Sequence, residues 1–132
     1  MKRLLAAALL LLLPAAAAFG QSRGGWLSGA WEGTGYQSES ENKTWEMRLT
    51  VARGRYEVEY PSLECAGRWR LLSLSGTRAV FRETITRGAE KCSQGGRVVL
   101  QRLNSRQLGY WYSHKGSTLY VANAILNRRR RL

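Results

Sequence analysis

Residues 45–60, WEMRLTVARGRYEVEY, decide the fold of this chain. In the first half apolar and polar side chains alternate, so that one face of an extended strand carries Trp45, Met47, Leu49 and Val51. After a turn at Arg53-Gly54 the alternation resumes, and the second apolar face carries Tyr56, Val58 and Tyr60. Pairing about this turn places Leu49 opposite Val58, and both apolar faces then lie on the same side. The stretch therefore predicts an antiparallel β-hairpin with one buried face.

Short alternating runs of the same kind continue on both sides of this hairpin. Residues 29–37 form the first run, and Pro61, which cannot donate a backbone hydrogen bond, ends the third. Further strands are predicted at residues 65–75, 79–86, 97–103, 106–113 and 118–126. Eight strands joined by short turns predict an all-β fold, an eight-stranded antiparallel up-and-down barrel whose closure removes exposed strand edges. A two-sheet β-sandwich is the alternative.

The two ends of the chain differ in composition from this predicted barrel, which covers residues 29–127. Lys2 and Arg3 precede an apolar run that is shorter than the roughly 20 residues a membrane-spanning helix needs, and small residues follow it. Residues 1–20 are therefore interpreted as a secretory signal peptide, residues 21–28 as a linker and residues 128–132 as a basic tail. The protein is expected to be secreted or periplasmic after cleavage of the signal.

Only two cysteines occur, Cys65 and Cys92, and in an exported chain they are expected to form a disulfide. Closing a loop of this length should add about 3 kcal/mol to the free energy of unfolding. His114 is the only histidine and there is no aspartate, which disfavours a metal site and a hydrolytic triad. The sequence predicts no cofactor and no enzymatic activity.

The charge balance points to the kind of partner. There are 21 lysines and arginines against nine glutamates, a formal net charge of +12, and four of the arginines are at positions 128–131. Such an excess favours anionic partners, namely an envelope polymer, a lipid surface contacted peripherally or an acidic protein. Nucleic acid is not expected as a partner of an exported protein. The alternative is a solvated surface that only keeps the protein soluble.

Glu83 is the most informative candidate for a binding site. It shares a strand face with Phe81 and Ile85, and a carboxylate on an apolar face is costly unless it is paired or hydrogen-bonded. Pairing about a turn at Gly76-Thr77 places Arg70 opposite Glu83. The predicted ligand-binding residues are Glu83, Arg70, Trp69 and Tyr110. Two alternatives stay open: Arg70 and Glu83 form an exposed ion pair, and the aromatic side chains only fill the core.

One short motif resembles a known group of barrels. Gly29-Ala30-Trp31 opens the first strand, and this resembles the Gly-x-Trp signature of the lipocalin and avidin-like (calycin) barrels. The resemblance implies that Trp31 closes one end of the barrel, near a basic residue of the last strand such as Arg128. The run Tyr60-Pro61-Ser62-Leu63-x-Cys65-x-Gly67, followed by Phe81-x-Glu83-x-Ile85 and Cys92, also resembles a small exported bacterial domain without an assigned function.

These observations together predict an exported, non-catalytic binding module for an anionic or amphipathic partner at the cell envelope. A first alternative is a protein-interaction module, such as an inhibitor of an extracellular hydrolase, and the basic charge favours an acidic hydrolase as its target. A second alternative is a lipocalin-like carrier of a small ligand. The protein is expected to be a monomer.

Overall fold

The computed structural model describes residues 24–39, 41 and 43–130. It contains the strands β1 (Gly29–Gln37), β2 (Thr44–Ala52), β3 (Arg55–Tyr60), β4 (Cys65–Leu74), β5 (Arg78–Arg87), β6 (Arg97–Asn104), β7 (Gln107–Ser113) and β8 (Tyr120–Arg128). Each strand pairs antiparallel with the next, and β8 pairs with β1, so the sheet closes into a barrel. The predicted up-and-down barrel is confirmed and the sandwich is excluded. The expected signal peptide, residues 1–20, lies outside the described residues.

Two short 3-10 helices accompany the strands. One, Gly25–Leu27, precedes β1 in the stretch that the sequence had suggested to be a linker, and its Leu27 is fully buried in the core. The other, Pro61–Leu63, connects β3 to β4, where the proline stands at the first helical position and has no backbone N–H to leave unpaired. Within the described part of the chain, no helix is long and apolar enough to cross a membrane.

The β2–β3 hairpin has the register that its sequence predicts. Leu49 pairs with Val58 and Val51 pairs with Tyr56, so the apolar faces of the two strands coincide. Burial alternates along the whole of β2, with every second side chain directed into the core. The hydrophobic pattern fixes this register because a slip by one residue would expose every apolar side chain of the strand to water.

The predicted pairing of β4 with β5 is wrong by one residue. Arg70 pairs with Arg82 on the outer face, and the residue opposite Glu83 is Trp69. The reason is a β-bulge between Leu71 and Ser73, which leaves one extra residue in β4. Counting back from the turn without this extra residue shifts every partner by one position and moves Arg70 to the wrong face.

The predicted pairing of β7 with β8 is also wrong. Tyr110 pairs with Ala124 and Tyr112 pairs with Ala122, rather than with Val121 and Leu119. The loop after β7 is longer than expected, because β8 begins only at Tyr120 and the ladder is irregular at its start. Leu119 lies in that loop and is 74% exposed, so the apolar residue that set the expected register does not face the core.

The predicted disulfide between Cys65 and Cys92 is present, with the two Cα atoms 6.4 Å apart. Cys65 is buried at the start of β4, and Cys92 lies in the loop between β5 and β6. An ion pair between Lys91 and Glu64 bridges the same two segments at the surface. The disulfide therefore ties the β5–β6 loop, residues 88–96, to the end of the barrel where β4 begins.

The opposite end of the barrel is closed by Trp31 and Arg128. The Trp31 side chain is fully buried, and its Nε1 donates a hydrogen bond to the backbone oxygen of Leu27 at 2.9 Å. The guanidinium carbon of Arg128 lies 4.1 Å from the centroid of the Trp31 ring, within the range of a cation–π contact. Arg128 also donates to the backbone oxygens of Ser28, at 2.5 Å, and Ser105, at 3.1 Å. It thereby joins the segment before β1 to the β6–β7 turn.

Candidate functional site

A cavity of about 460 Å³ occupies the end of the barrel opposite Trp31, and we call it the cup. It lies where the β1–β2, β3–β4, β5–β6 and β7–β8 connections meet. Its inner wall includes Trp45, Tyr60, Glu83, Tyr110 and Tyr112. Exposed residues of the connections, among them Glu39 and Lys91, line its outer part, so the cup faces solvent at this end.

Glu83 lies deep in the cup. In β5 the side chains of Phe81, Glu83 and Ile85 all face the core, as the alternation predicts, and Glu83 is only 3% exposed. Its Oε2 accepts hydrogen bonds from the Tyr60 hydroxyl and, at 2.7 Å, from Trp69 Nε1. The carboxyl group is thus held by donors from the two preceding strands. Both bonds go to Oε2, which leaves Oε1 available to a ligand.

Aromatic rings surround this carboxyl group. The ring centroid of Trp45 lies 5.5 Å from that of Tyr60 and 5.7 Å from that of Tyr110, and both pairs have edge-to-face geometry. Trp69 stacks on Tyr110 at 6.0 Å and packs against Phe81 at 5.3 Å. Because each ring is fixed by one or two others, the walls around Glu83 are preorganised.

Burial controls the ionisation of these groups. Desolvation raises the pKa of Glu83, although the hydrogen bonds from Tyr60 and Trp69 act in the opposite direction. Burial, with the nearby charge of Glu83, also raises the pKa of Tyr60 and of Tyr110 well above the ordinary tyrosine value. For Tyr112 the same two causes raise the pKa to about 12. The three phenols therefore remain protonated donors at neutral pH.

Two buried polar atoms of the described residues have no hydrogen-bond partner, Trp45 Nε1 and the Tyr112 hydroxyl. Both side chains line the cup. Ser93 is near enough to lower the pKa of Tyr112, but no bond of normal geometry joins the two side chains, so we regard the hydroxyl as unpaired. Buried donors without partners are rare and costly in folded proteins, by about 1–3 kcal/mol each. Trp45 Nε1 and the Tyr112 hydroxyl are the two buried polar atoms of the cup lining that the described part of the protein leaves unsatisfied.

Glycines make room for these two aromatic rings. A Cβ atom at Gly35 would overlap the Trp45 ring, and one at Gly96 would overlap the Tyr112 ring. The rings therefore lie directly on the backbone of β1 and of the β5–β6 loop. A larger residue at either position would push the ring away from the backbone and into the cup.

The outer part of the cup is acidic. Glu39 and Glu41 lie there, and His114 Nε2 is 2.7 Å from the Glu39 carboxylate. Lys91 is the one lysine or arginine among the described lining residues, and it is already paired with Glu64. Together with Glu83, three of the nine glutamates of this basic chain line a single cavity.

The structure brings together three of the four predicted ligand-binding residues. Glu83 and Tyr110 line the cup, and Trp69 lies directly behind Glu83, to which it donates. Arg70 is exposed on the outer face of the barrel, because the bulge in β4 reverses its expected position. Trp45 was assigned to the inner face of its strand but not to the site.

Tyr60 and Tyr112 were also left out of the predicted ligand-binding residues. The sequence pattern could have indicated Tyr60 as a site residue, since it shares a strand face with Val58 and is the last residue of β3, at the open end of the barrel. Tyr112 alternates with Tyr110 on one face of β7, so the prediction of Tyr110 as a site residue could have been extended to it. Within the described residues, no three His, Cys, Asp or Glu side chains are close enough together to hold a metal ion. The cup combines a defined shape with an aromatic surface, hydrogen-bond donors and one buried carboxyl group.

Comparisons with protein-family models, with curated proteins and with solved structures found no match. The function of the chain is therefore inferred from the geometry of the cup and from the charges on the outer surface.

Proposed function

We propose that this protein is an exported, non-catalytic binding module that holds a small amphipathic molecule in the cup. The observation that carries the proposal is the unpaired indole N–H of Trp45, in a side chain that is 4% exposed and faces a preformed cavity. A core that served only for stability would gain from an apolar side chain at this position, because a buried donor without an acceptor is destabilising.

The dimensions of the cup support a small ligand. A volume of about 460 Å³ falls within the range typical of pockets for small organic molecules, about 300–1,000 Å³. The lining combines aromatic rings with a few polar groups, which is the usual composition of such pockets. A ligand with an apolar body and a hydrogen-bond acceptor would match the rings and satisfy Trp45 Nε1.

Export and a lipocalin-like mode of binding are part of this proposal. The disulfide between Cys65 and Cys92 supports a location outside the reducing cytosol. The closure of one end by Trp31 and Arg128, with a cup at the other end, supports the architecture that the Gly-x-Trp motif implies. In this proposal Trp31 and Arg128 close one end, and the open end binds the ligand.

Trp45→Phe tests the proposal. The change keeps an aromatic ring but removes the unpaired N–H, so we expect unfolding stability to stay within about 1 kcal/mol of the parent protein. Affinity for a cup ligand should fall about fivefold through loss of one hydrogen bond worth about 1 kcal/mol. The measurement is tryptophan fluorescence during titration with a panel of small amphipathic molecules at two salt concentrations.

The matched control is Trp111→Phe, because Trp111 lies on the outer face, over Gly109, away from the cup. It should leave affinity unchanged. Ligand binding that persists equally in both variants would contradict the role of Trp45, and a panel without any binder would contradict the proposed function itself.

A row of arginines favours a second function, contact with an anionic surface. Arg70 pairs with Arg82, and Arg82 pairs with Arg97, so three like charges stand side by side across β4, β5 and β6. Like charges directly opposite one another destabilise a sheet. Among the described residues these three arginines make no salt bridge that would offset this repulsion. An anionic lipid or polymer on this face would relieve it.

Vesicles of phosphatidylglycerol with phosphatidylcholine test this second function, compared with phosphatidylcholine alone. We expect binding only to the anionic vesicles, with a steep loss between low and moderate salt, because exposed charges are screened. Arg70→Gln combined with Arg97→Gln should weaken binding by about 2 kcal/mol, about 1 kcal/mol per arginine. Arg55→Gln, exposed at the β2–β3 turn, is the control. A loss of about 1 kcal/mol for the single charge of Arg55, half the effect of the double variant, would show that only net charge matters.

A further inference from the structure

We propose that the cup selects an organic cation, a molecule with a protonated amine on an aromatic or apolar body. This inference rests on the proposed function and names the chemical class of its ligand. The sequence, with its net charge of +12, favours anionic partners, and the interior of the cup points to the opposite sign. The charges of the outer surface and of the cavity are therefore to be considered separately.

The carboxyl group of Glu83 is the first element of such a site. It is 3% exposed, faces the cup, and has Oε1 available beyond the two hydrogen bonds that Oε2 accepts. The hydrogen bonds from Tyr60 and Trp69 offset only part of the cost of burying a carboxylate, and a positive charge would offset more of it. Among the residues that the structure describes, no arginine lines the cup, and the amine of Lys91 is held by Glu64 at the surface. A ligand ammonium group would supply the missing charge.

The aromatic rings are the second element. Trp45, Tyr60 and Tyr110 line the cup together with Glu83, and the Trp45 ring centroid is 5.5 Å from that of Tyr60 and 5.7 Å from that of Tyr110. The negative electrostatic potential of aromatic faces attracts organic cations, and indole attracts them most strongly. Rings next to a carboxylate also exclude water, which strengthens the attraction between the two charges.

The third element is the acidic rim of the cup. Glu39 and Glu41 lie between solvent and the inner wall, and they give the cup a local negative charge within a basic protein. A carboxylate ligand would have to pass these groups and then lie against Glu83. A protonated amine is attracted by the carboxylates at the rim and by Glu83 inside the cup, so both positions favour the same ligand.

Binding of a protonated amine requires Glu83 to be ionised. Where the buried carboxyl group carries its proton, that proton passes to solvent as the ammonium group enters, and the total charge is conserved. The titratable groups that face Glu83 are Tyr60 on β3 and Tyr110 and Tyr112 on β7, which stay protonated. Proton release that Glu83→Gln abolishes is therefore assigned to Glu83. Release that remains in this variant is assigned to the rim groups Glu39, Glu41 and His114.

Three probes with the same phenol ring separate the ligand classes: tyramine, its neutral alcohol analogue tyrosol, and hydroxyphenylpropionate as the anion. Isothermal titration calorimetry measures each with the intact protein, in two buffers of different ionisation enthalpy. We expect tyramine to bind at least about tenfold more tightly than tyrosol, a difference of about 1.4 kcal/mol, and the anion to bind least. At a pH where the buried Glu83 carboxyl group still carries its proton, tyramine binding should release protons.

Glu83→Gln supplies the variant test, since a glutamine at this position can still accept from Tyr60 and Trp69. We expect it to reduce the affinity for tyramine about tenfold or more, to leave that for tyrosol nearly unchanged, and to abolish proton release. Glu57→Gln makes the same chemical change on the outer face of β3 and should change none of these values.

The outcomes separate the inference from the proposed function. Equal binding of tyramine and tyrosol, or tyramine binding that Glu83→Gln does not weaken, would refute selection of a cation but leave a ligand-binding cup. Tighter binding of the anion would refute it as well. Binding of none of the three probes would refute the inference, and together with an empty result from the wider panel it would refute the proposed function too.

Discussion

Trp31→Ala is expected to lower the free energy of unfolding by about 4 kcal/mol, as large buried aromatic residues commonly do when truncated. The ring is fully buried at the closed end, donates to Leu27 and lies under the guanidinium group of Arg128. Its loss leaves a cavity between the 3-10 helix before β1 and the core. Because small domains have a total stability of about 5–15 kcal/mol, the variant should remain folded only marginally.

Two further variants make this expectation specific. Trp31→Phe keeps much of the ring volume and should cost only about 1–2 kcal/mol, through the lost hydrogen bond and a smaller void. Trp111→Ala removes a half-buried indole from the outer face and should cost less than Trp31→Ala by about 2 kcal/mol or more. Urea unfolding followed by circular dichroism measures all three. Similar losses of unfolding free energy for Trp31→Ala and Trp111→Ala would show that the closed end contributes no more to stability than the outer face does.

The fold was predictable from the sequence because its strands carry a strict alternation. In β2 and β3 each apolar residue has a defined side, and the turn at Arg53-Gly54 fixes the pairing from one end. The two cysteines had one possible partner each, which made the disulfide between Cys65 and Cys92 the simplest expectation. Closure of the barrel follows from the number of strands and the need to pair both edges.

The site was predictable only in part, because it depends on features that alternation does not encode. Glu83 was found because a charged residue on an apolar face requires a partner. Its partners were not, since the bulge near Leu71 and Ser73 exchanges Arg70 for Trp69. The unpaired state of Trp45 Nε1 depends on the position of its ring over Gly35, which no sequence pattern indicates.

The corrected register also changes the electrostatic argument. With Arg70 opposite Glu83, the interior would hold a compensated ion pair, and an anionic or neutral ligand would suit it. With Trp69 opposite Glu83, the donors to the carboxyl group among the described residues are the neutral side chains of Tyr60 and Trp69. One extra residue in β4 therefore decides whether the cup has a balanced or an uncompensated charge.

Glu83→Gln is expected to change how stability depends on pH. Burial raises the pKa of the folded-state carboxyl group above its ordinary value, which applies in the unfolded chain. The folded state therefore binds this proton more tightly than the unfolded state does. The resulting stabilisation is fully present below the ordinary value, near pH 4.5, and is lost as the pH rises through the folded-state value.

Between those two values the parent protein should lose stability relative to Glu83→Gln with a slope approaching about 1.4 kcal/mol per pH unit. Above the folded-state value the difference should become constant. Urea unfolding from about pH 4 to about pH 9 measures both curves within a range where free tyrosine does not ionise. The ion pair between Lys91 and Glu64 affects both proteins alike, so the difference between the curves isolates Glu83.

Glu57→Gln is the control for this comparison, because Glu57 is exposed on the outer face of β3 and solvent screens its charge. Its curve should have the same shape as that of the parent protein. Parallel curves for the parent protein and Glu83→Gln would mean that burial does not disfavour the charged carboxylate. The uncompensated charge that the cation site requires would then be absent. If the stability curves of the parent protein and Glu83→Gln diverge, their difference measures the free energy that an entering ammonium group can recover.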